Sequence, residues 1–523
     1  MRWPGLAAVV ALYAGCAAAP SATAPPAVSI DPAARPILDA WARALAGHTQ
    51  IAATPQHWTT TWSSQGEHGT SEHWSDPSGA FADVANDQGE ERMTVFDGAH
   101  GWRRDHGGVV RELAGFELVD ARTTAFFASG GALRADPRPC TVVTNLDGTL
   151  TITPAGGRET IVAFDPATHL PRTLTRRRDE RVTTFELSDW RDVDGAKVSF
   201  AEVARDDQGG TMEARIDHMD HASRNGGYAA PIQTASVPLA APVVLPFQKA
   251  TGNWVKLAVE LGGGSHVFLL DTGVSGIAID TSLADELGLA RHGSVAMISG
   301  GGAAKTSYID HVALTVGGVE LPPLRATTNE FRKTFRDPSD GALGYDLMAR
   351  FVVELDFRNE RVTLHDAATY RHQGPGAAIP ITLERGVPWT DLVLETGAWP
   401  ITGHFLIDTG CQCPLIITAP FAEAHHLVEL LRPTRTTTRR GLGGESKLDH
   451  ARLPGILLGD RRLRHTAALL SHDTKGAYAR TDRAGAIGID VLSSFLVTFD
   501  YGRGKMWLDP FPSAPAGADP WAQ

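Results

Sequence analysis

Two aspartates, Asp271 and Asp408, each open an Asp-Thr-Gly tripeptide that ends an apolar run. Val267-Phe268-Leu269-Leu270 precedes the first and Phe405-Leu406-Ile407 the second, while Ile277-Ala278-Ile279 and Leu415-Ile416-Ile417 follow. Each carboxyl is thus delivered into a tight turn by one apolar strand and left by another. A lone ionised carboxylate in such a place is costly, and two brought together are costlier, unless they share a proton. The chemistry on offer is acid–base work by a proton-sharing pair. A single copy would be ordinary turn chemistry, because Asp bonds its own backbone and Gly accepts positive φ. Two copies in matched surroundings call for a common reason.

The match extends over about 120 residues, as an internal repeat does. Each copy is expected to open with a hairpin: 254–261, a Gly262-Gly263-Gly264 turn and 266–270 in the first; 390–394, a turn around Gly397 and Gly403, and 404–407 in the second. Short helices follow the tripeptides, over 282–288 and 421–427. The first is read as a capping box of Ser282 and Asp285, stopped by Gly288. Next come glycine-rich stretches, Gly300-Gly301-Gly302 and Gly441 with Gly443-Gly444, and then strands over 309–316 with 319–321, and 451–458 with 462–463. Each copy closes on a near-identical phrase. Gly341-Ala342-Leu343-Gly344-Tyr345-Asp346-Leu347 runs into Phe351-Val352-Val353, and Gly485-Ala486-Ile487-Gly488-Ile489-Asp490-Val491-Leu492 runs into Phe495-Leu496-Val497. An apolar strand under the turn, a glycine at a close backbone approach and a short helix capped by Asp346 or Asp490 are the physical reading.

Over roughly 240–510 this order resembles the retropepsin and pepsin group of aspartic peptidases, and the repeat length resembles the shorter retropepsin half. The aspartates lie 408 − 271 = 137 residues apart. The resemblance implies a retropepsin-like dimer fused into one chain, able to complete its site as a monomer. Asp271 and Asp408 would be catalytic, the ionised member taking a proton from a bound water and the protonated member donating to a peptide carbonyl. Thr272 and Thr409 would cross-link the turns, and Gly273 and Gly410 would let backbone pass the carboxyls. Gly300, Gly301, Gly302, Gly441, Gly443 and Gly444 resemble flaps over an extended polypeptide substrate; plain hairpin turns are the alternative for either stretch alone. No covalent intermediate, cofactor or metal is expected. Pepsin-like enzymes carry a hydroxyl after the tripeptide, where this chain has Val274 and Cys411. Without that donor the pair should titrate higher, giving activity at mildly acidic to neutral pH.

Four cysteines give no disulfide framework. Cys411 and Cys413 are expected to pack as small apolar groups, since so close a pair on a strand rarely bridges. At the amino terminus, Met1-Arg2, an apolar core over 6–12 and Ala14-Gly15-Cys16 resemble a bacterial lipobox, with Tyr13 where Leu is usual. That implies lipidation of Cys16, a membrane anchor through the lipid, and an outer-membrane lipoprotein facing the periplasm; an ordinary secretory signal, giving a secreted or periplasmic protein, is the alternative. The net charge of −12 offers no basic stripe for nucleic acid. Arg176-Arg177-Arg178, balanced by Asp179 and Glu180, is read as a solvated loop or hairpin.

Residues 36–222 read as a separate unit, with a helix over 36–45 and strands over 58–62, 92–96, 150–153, 159–164, 181–187 and 197–200, punctuated by turns such as Asp97-Gly98 and Asp194-Gly195. Phe164-Asp165-Pro166, Leu170-Pro171, Ser188-Asp189-Trp190 and Val193-Asp194-Gly195 resemble the periplasmic carriers that sort outer-membrane lipoproteins. That resemblance implies a curved antiparallel sheet around helices, with an acyl or apolar ligand in its concavity. Trp58, Trp62, Trp74 and Trp102 would line such a cavity or simply pack the core. The expected fold class is mainly β: the curved sheet with helices, then a pseudo-twofold pair of retropepsin-like β-barrel halves. Expected segments are a signal (1–16), a linker (17–35), the carrier-like unit (36–222), a Pro/Ala-rich linker (223–242), two peptidase halves (243–371 and 372–510) and a tail (511–523). The function expected is an exported aspartic endopeptidase. The rivals are an inactive envelope lipoprotein that binds peptides or lipids, and an enzyme that clips only its own linker.

Overall fold

The structure, a computed structural model, describes residues 27–46, 53–178, 181–207, 209–235, 237–248 and 250–511. The signal, Cys16 and nearly all of the tail lie outside them. The chain is mainly β and divides into two compact units, 2–233 and 234–523. No helix among the described residues is long and apolar enough to cross a membrane.

The first unit is built on one sheet of fourteen strands, antiparallel except where Ser29–Ile30 lies beside Cys140–Thr144. The strands run from Cys140–Thr144 through Thr211–Asp220 in chain order, and then from Gln56–Ser64 to Val110–Glu112. Alternating residues such as Leu150, Ile152, Val162, Leu174 and Phe185 line one core with Leu38 and Trp41 of helix Arg35–Leu45 and Phe126 and Phe127 of helix Gly115–Ala128. The second helix escapes sequence periodicity because Glu117 and Asp120 are buried among its apolar residues, bonded to Arg111 and Arg158. The four tryptophans do not share one lining: Trp58 packs with Phe200 and Ile216, Trp62 against the main core, Trp74 stacks on His57, and Trp102 lies beside the His100 ring. Arg176 corrects the solvated reading of its run. It lies in strand Pro171–Arg178, 2% exposed, bonded to Thr160 and set over the rings of Phe127 and Phe185.

The second unit contains three sheets. In the nine-stranded sheet the order is His292–Ser299, Gly302–Val312, Leu324–Asn329, Ile277–Asp280, Gly341–Leu343, Gly264–Leu270, Lys256–Leu261, Leu314–Val316, Val319–Glu320. Nine strands of the ten-stranded sheet repeat that order position by position: Arg435–Gly441, Gly444–Arg452, Ala467–Ser471, Leu415–Ile417, Gly485–Gly488, Pro400–Asp408, Val387–Glu395, Gly455–Leu458, Arg461–Arg464; the tenth, Thr382–Glu384, pairs with Val387–Glu395 off this path. A six-stranded sheet interleaves both copies, pairing Phe351–Asp356 with Phe495–Asp500 so that Val353 faces Phe499 and Leu355 faces Val497. None of the sheets closes among the described residues. This corrects the expected barrels: each large sheet ends in a strand of the glycine-tipped hairpin at one edge and a short hairpin strand at the other, and the two edges do not pair.

Local details differ from the sequence reading in four places. Helix Thr281–Glu286 is capped by Asp280, whose carboxylate accepts from Ser282 N, so no capping box forms with Asp285. The second expected helix is two, Ala419–Ala424 and Leu427–Leu431. Gly403 sits inside strand Pro400–Asp408, facing Leu392, and only Gly397 turns. Asp346 and Asp490 lie in the first helical turn, and Gly344 and Gly488 hold the N-cap positions instead; the Asp346 carboxylate accepts from Arg350.

Candidate functional site

The strand beside the central one in each large sheet carries an aspartate into its turn. Gly264–Leu270 pairs in parallel with Gly341–Leu343, and Asp271 N donates to Leu343 O at 2.9 Å. Pro400–Asp408 pairs in the same way with Gly485–Gly488, bringing Asp408 opposite Gly488. The turns meet through a reciprocal lock. Thr272 N donates to Thr409 Oγ1 and Thr409 N to Thr272 Oγ1, both at 3.0 Å. Thr272 Oγ1 then donates to Ile407 O at 2.6 Å, and Thr409 Oγ1 to Leu270 O at 2.8 Å. Both threonines are fully buried, so the lock is shielded from competing water.

That lock brings the Asp271 and Asp408 carboxyls together: a Cβ at Gly273 would lie 3.0 Å from Asp408 Oδ1 and 3.1 Å from Asp271 Oδ1. Gly273 N donates to Asp271 Oδ1 at 2.8 Å and Gly410 N to Asp408 Oδ1 at 3.0 Å. A side chain at Gly410 would land on the Asp271 carboxyl, which is why only glycine suits that turn. Burial pushes both carboxyls above the ordinary range. The charge on Asp408 drives Asp271 well above it, while the Gly410 amide draws Asp408 back. Both shifts belong to the pair, which holds one proton between its two carboxyls over that range. Among the described residues no side-chain hydroxyl donates to either group, consistent with Val274 and Cys411 at the following position.

A carboxyl whose pKa is raised by folding binds its proton more tightly in the native state, so it contributes stability that is lost as pH climbs from the ordinary carboxyl range through the folded pKa. Asp271→Asn removes that loss. Its Tm should exceed the wild-type value at pH 7.5, and the gap should close toward pH 4; equal Tm values at both pH values would contradict the raised pKa.

Cys411 and Cys413 are bridged, with Cα atoms 5.3 Å apart, which corrects the expectation of an unbridged pair, while both pack with Ile416, Leu448 and Leu469 as expected of small apolar groups. The chain there is not a strand: Cys413 N bonds back to Cys411 O at 2.8 Å, a reversal that brings the Cα atoms within disulfide range.

The glycine-rich stretches are the tips of two long hairpins, His292–Ser299 with Gly302–Val312 and Arg435–Gly441 with Gly444–Arg452. The tips touch: a Cβ on Gly443 would lie 2.6 Å from Gly302 O and 2.8 Å from Gly300 O. Leu442 of the second tip packs against Leu269, Ala278 and Ala342 of the first copy.

Sequence reading missed four residues here. Asp473 accepts from Gly301 N at 3.1 Å and Ser446 Oγ at 2.7 Å, fastening one tip to the other hairpin. Tyr478 lies against Gly300, and both aspartates act on its phenol, which burial pushes far up. Trp254 Nε1 donates to Gly410 O at 2.9 Å, and Arg439 donates to Gln412 O. Asp473 and Tyr478 sit in a loop with no like-composed counterpart in the first copy, so the repeat could not point to them.

A comparison with curated proteins finds no match. Residues 257–347, which hold the Asp271 turn, the first glycine-tipped hairpin and the closing Gly341–Leu343 strand, match the model of a family described as Aspartyl protease.

Proposed function

We propose that the second unit is an aspartic endopeptidase whose two halves, 243–371 and 372–510, are related by a pseudo-twofold axis and contribute Asp271 and Asp408 to one site. The observation that carries this reading is the closely apposed carboxyl pair held by the Thr272–Thr409 lock. The family match supports it for the first half, and the identical strand order supports it for the second.

In the proposed reaction, ionised Asp408 takes a proton from a water held between the carboxyls as the water oxygen adds to the peptide carbonyl carbon. Asp271 gives its proton to the carbonyl oxygen, leaving a neutral diol on the substrate. Return of the proton from Asp408 to the amide nitrogen breaks the C–N bond. One hydroxyl proton goes back to the aspartates as the carboxylic acid forms. The glycine-tipped hairpins serve as flaps, and their contact with each other excludes water from the pair. Activity then belongs at mildly acidic to neutral pH, where the pair holds one proton.

Export, Cys16 lipidation and an apolar ligand in the first unit are proposals resting on sequence resemblance alone. The test of function is full-length protein incubated with a peptide library between pH 3 and pH 8, with cut sites read by mass spectrometry. Cutting that rises toward pH 5–7 and stops with loss of either aspartate supports the reading. Peptide binding without cutting at any pH overturns it in favour of a binding protein, and a rate still rising below about pH 3 contradicts the proton assignment.

A further inference from the structure

The two flaps have the same backbone plan and different inner faces. Directly paired residues share one face of a hairpin. Two residues before the tip pair Ser299–Gly302, the first flap pairs Met297 with Ala304. Two residues before Gly441–Gly444, the second pairs Arg439 with Ser446. The face that carries Ser446 and Leu448 turns inward: both are buried, Ser446 bonds Asp473, and Leu448 packs with Cys413, Ile416 and Leu469. Arg439 shares that face yet remains exposed. Its guanidinium reaches the carbonyl of Gln412, two residues beyond Gly410, and so spans from the flap to the turn that carries Asp408. Among the described residues Arg439 is within ion-pair distance of no carboxylate, although its charge acts on Asp490; its one bonded partner is that backbone oxygen. A guanidinium has five N–H donors in a fixed fork, so several remain for a carboxylate arriving from outside.

We propose that Arg439 determines specificity, selecting extended peptides with an Asp or Glu side chain on the flank covered by the second flap. The equivalent place on the other flank is lined by the Met297 thioether and Ala304, which offer an acidic side chain nothing. The site is then asymmetric despite its paired scaffold, and it reads its substrate in one direction. This rests on the peptidase reading for where the peptide lies, but its test does not require cutting.

The experiment uses full-length Asp271→Asn protein and fluorescent decapeptides that differ only in Glu, Gln or Lys at each flanking position, with binding read by anisotropy at low salt. Glu at one flank position should bind about tenfold more tightly than Gln, and Lys more weakly still. Adding Arg439→Gln should erase the ranking, and Arg439→Glu should reverse it to favour Lys. If Arg439 only ties the flap to Gln412, both variants will weaken all peptides equally and lower Tm, which overturns the proposal. Absence of any Glu preference, or of any binding, overturns it as well. Cutting by the Asp271-containing protein, measured beside it, separates failure of this inference from failure of the peptidase reading.

Discussion

Asp271→Asn and Asp408→Asn should each lower kcat by about 10³-fold or more, and the double variant should lose little beyond either single one. The reason lies in the lock and the shared proton. With one carboxyl protonated and the other ionised, each does a job the other cannot do in the same step. An amide at either position removes both the proton and the charge that the pair exchanges. Asn preserves shape and can still donate to the remaining carboxylate, so the fold should persist, as the higher Tm expected for Asp271→Asn at pH 7.5 would verify independently. The measurement is kcat and KM on a single peptide taken from the library. Strictly additive losses, or one variant at full activity, would mean that the two turns act separately despite their hydrogen bond.

Much of this site was legible before any coordinates. The doubled Asp-Thr-Gly, its apolar flanks and the matching Gly-Ala-Leu-Gly and Gly-Ala-Ile-Gly closures are local signals, and each records a backbone constraint: a carboxyl in a turn, a strand beneath it, a close approach that excludes a side chain. The hairpins with glycine tips were legible for the same reason. Open sheets in place of barrels were not, because closure depends on whether distant edges meet, and no residue pattern records that. Cys411 and Cys413 were misread because their spacing was judged on a strand, whereas the chain reverses between them. Arg176 was misread because a run of three arginines ordinarily faces water; its burial depends on Phe127 and Phe185, both distant in sequence. Asp473 and Arg439 stayed hidden because their contacts are set by what the opposite hairpin tip and the Asp408 turn present, not by neighbours along the chain.

Thr272→Val should show how much of the scaffold exists to keep the two acids together. Val conserves the shape of Thr and removes one hydroxyl, which accepts from Thr409 N and donates to Ile407 O. Both partners are then left in a site with no exposure at Thr272 or Thr409, and orphaning two buried groups costs about 2–4 kcal/mol. For a unit of this size that corresponds to a fall in Tm of roughly 5–12 °C. Activity should fall further than stability alone explains, measured well below the new Tm, because the surviving half of the lock no longer fixes the carboxyl separation and a small misplacement of reacting groups is heavily penalised. Thr272→Ser keeps both hydrogen bonds and loses one methyl, so it should recover most of the Tm and most of kcat. Equal behaviour of Val and Ser would mean that packing, not the crossed hydrogen bonds, holds Asp271 against Asp408. The position of the lock, directly beneath the pair and joining the two repeats, makes the opposite ordering the physical expectation: a charge-sharing site this compact needs its two turns tied by bonds that water cannot replace.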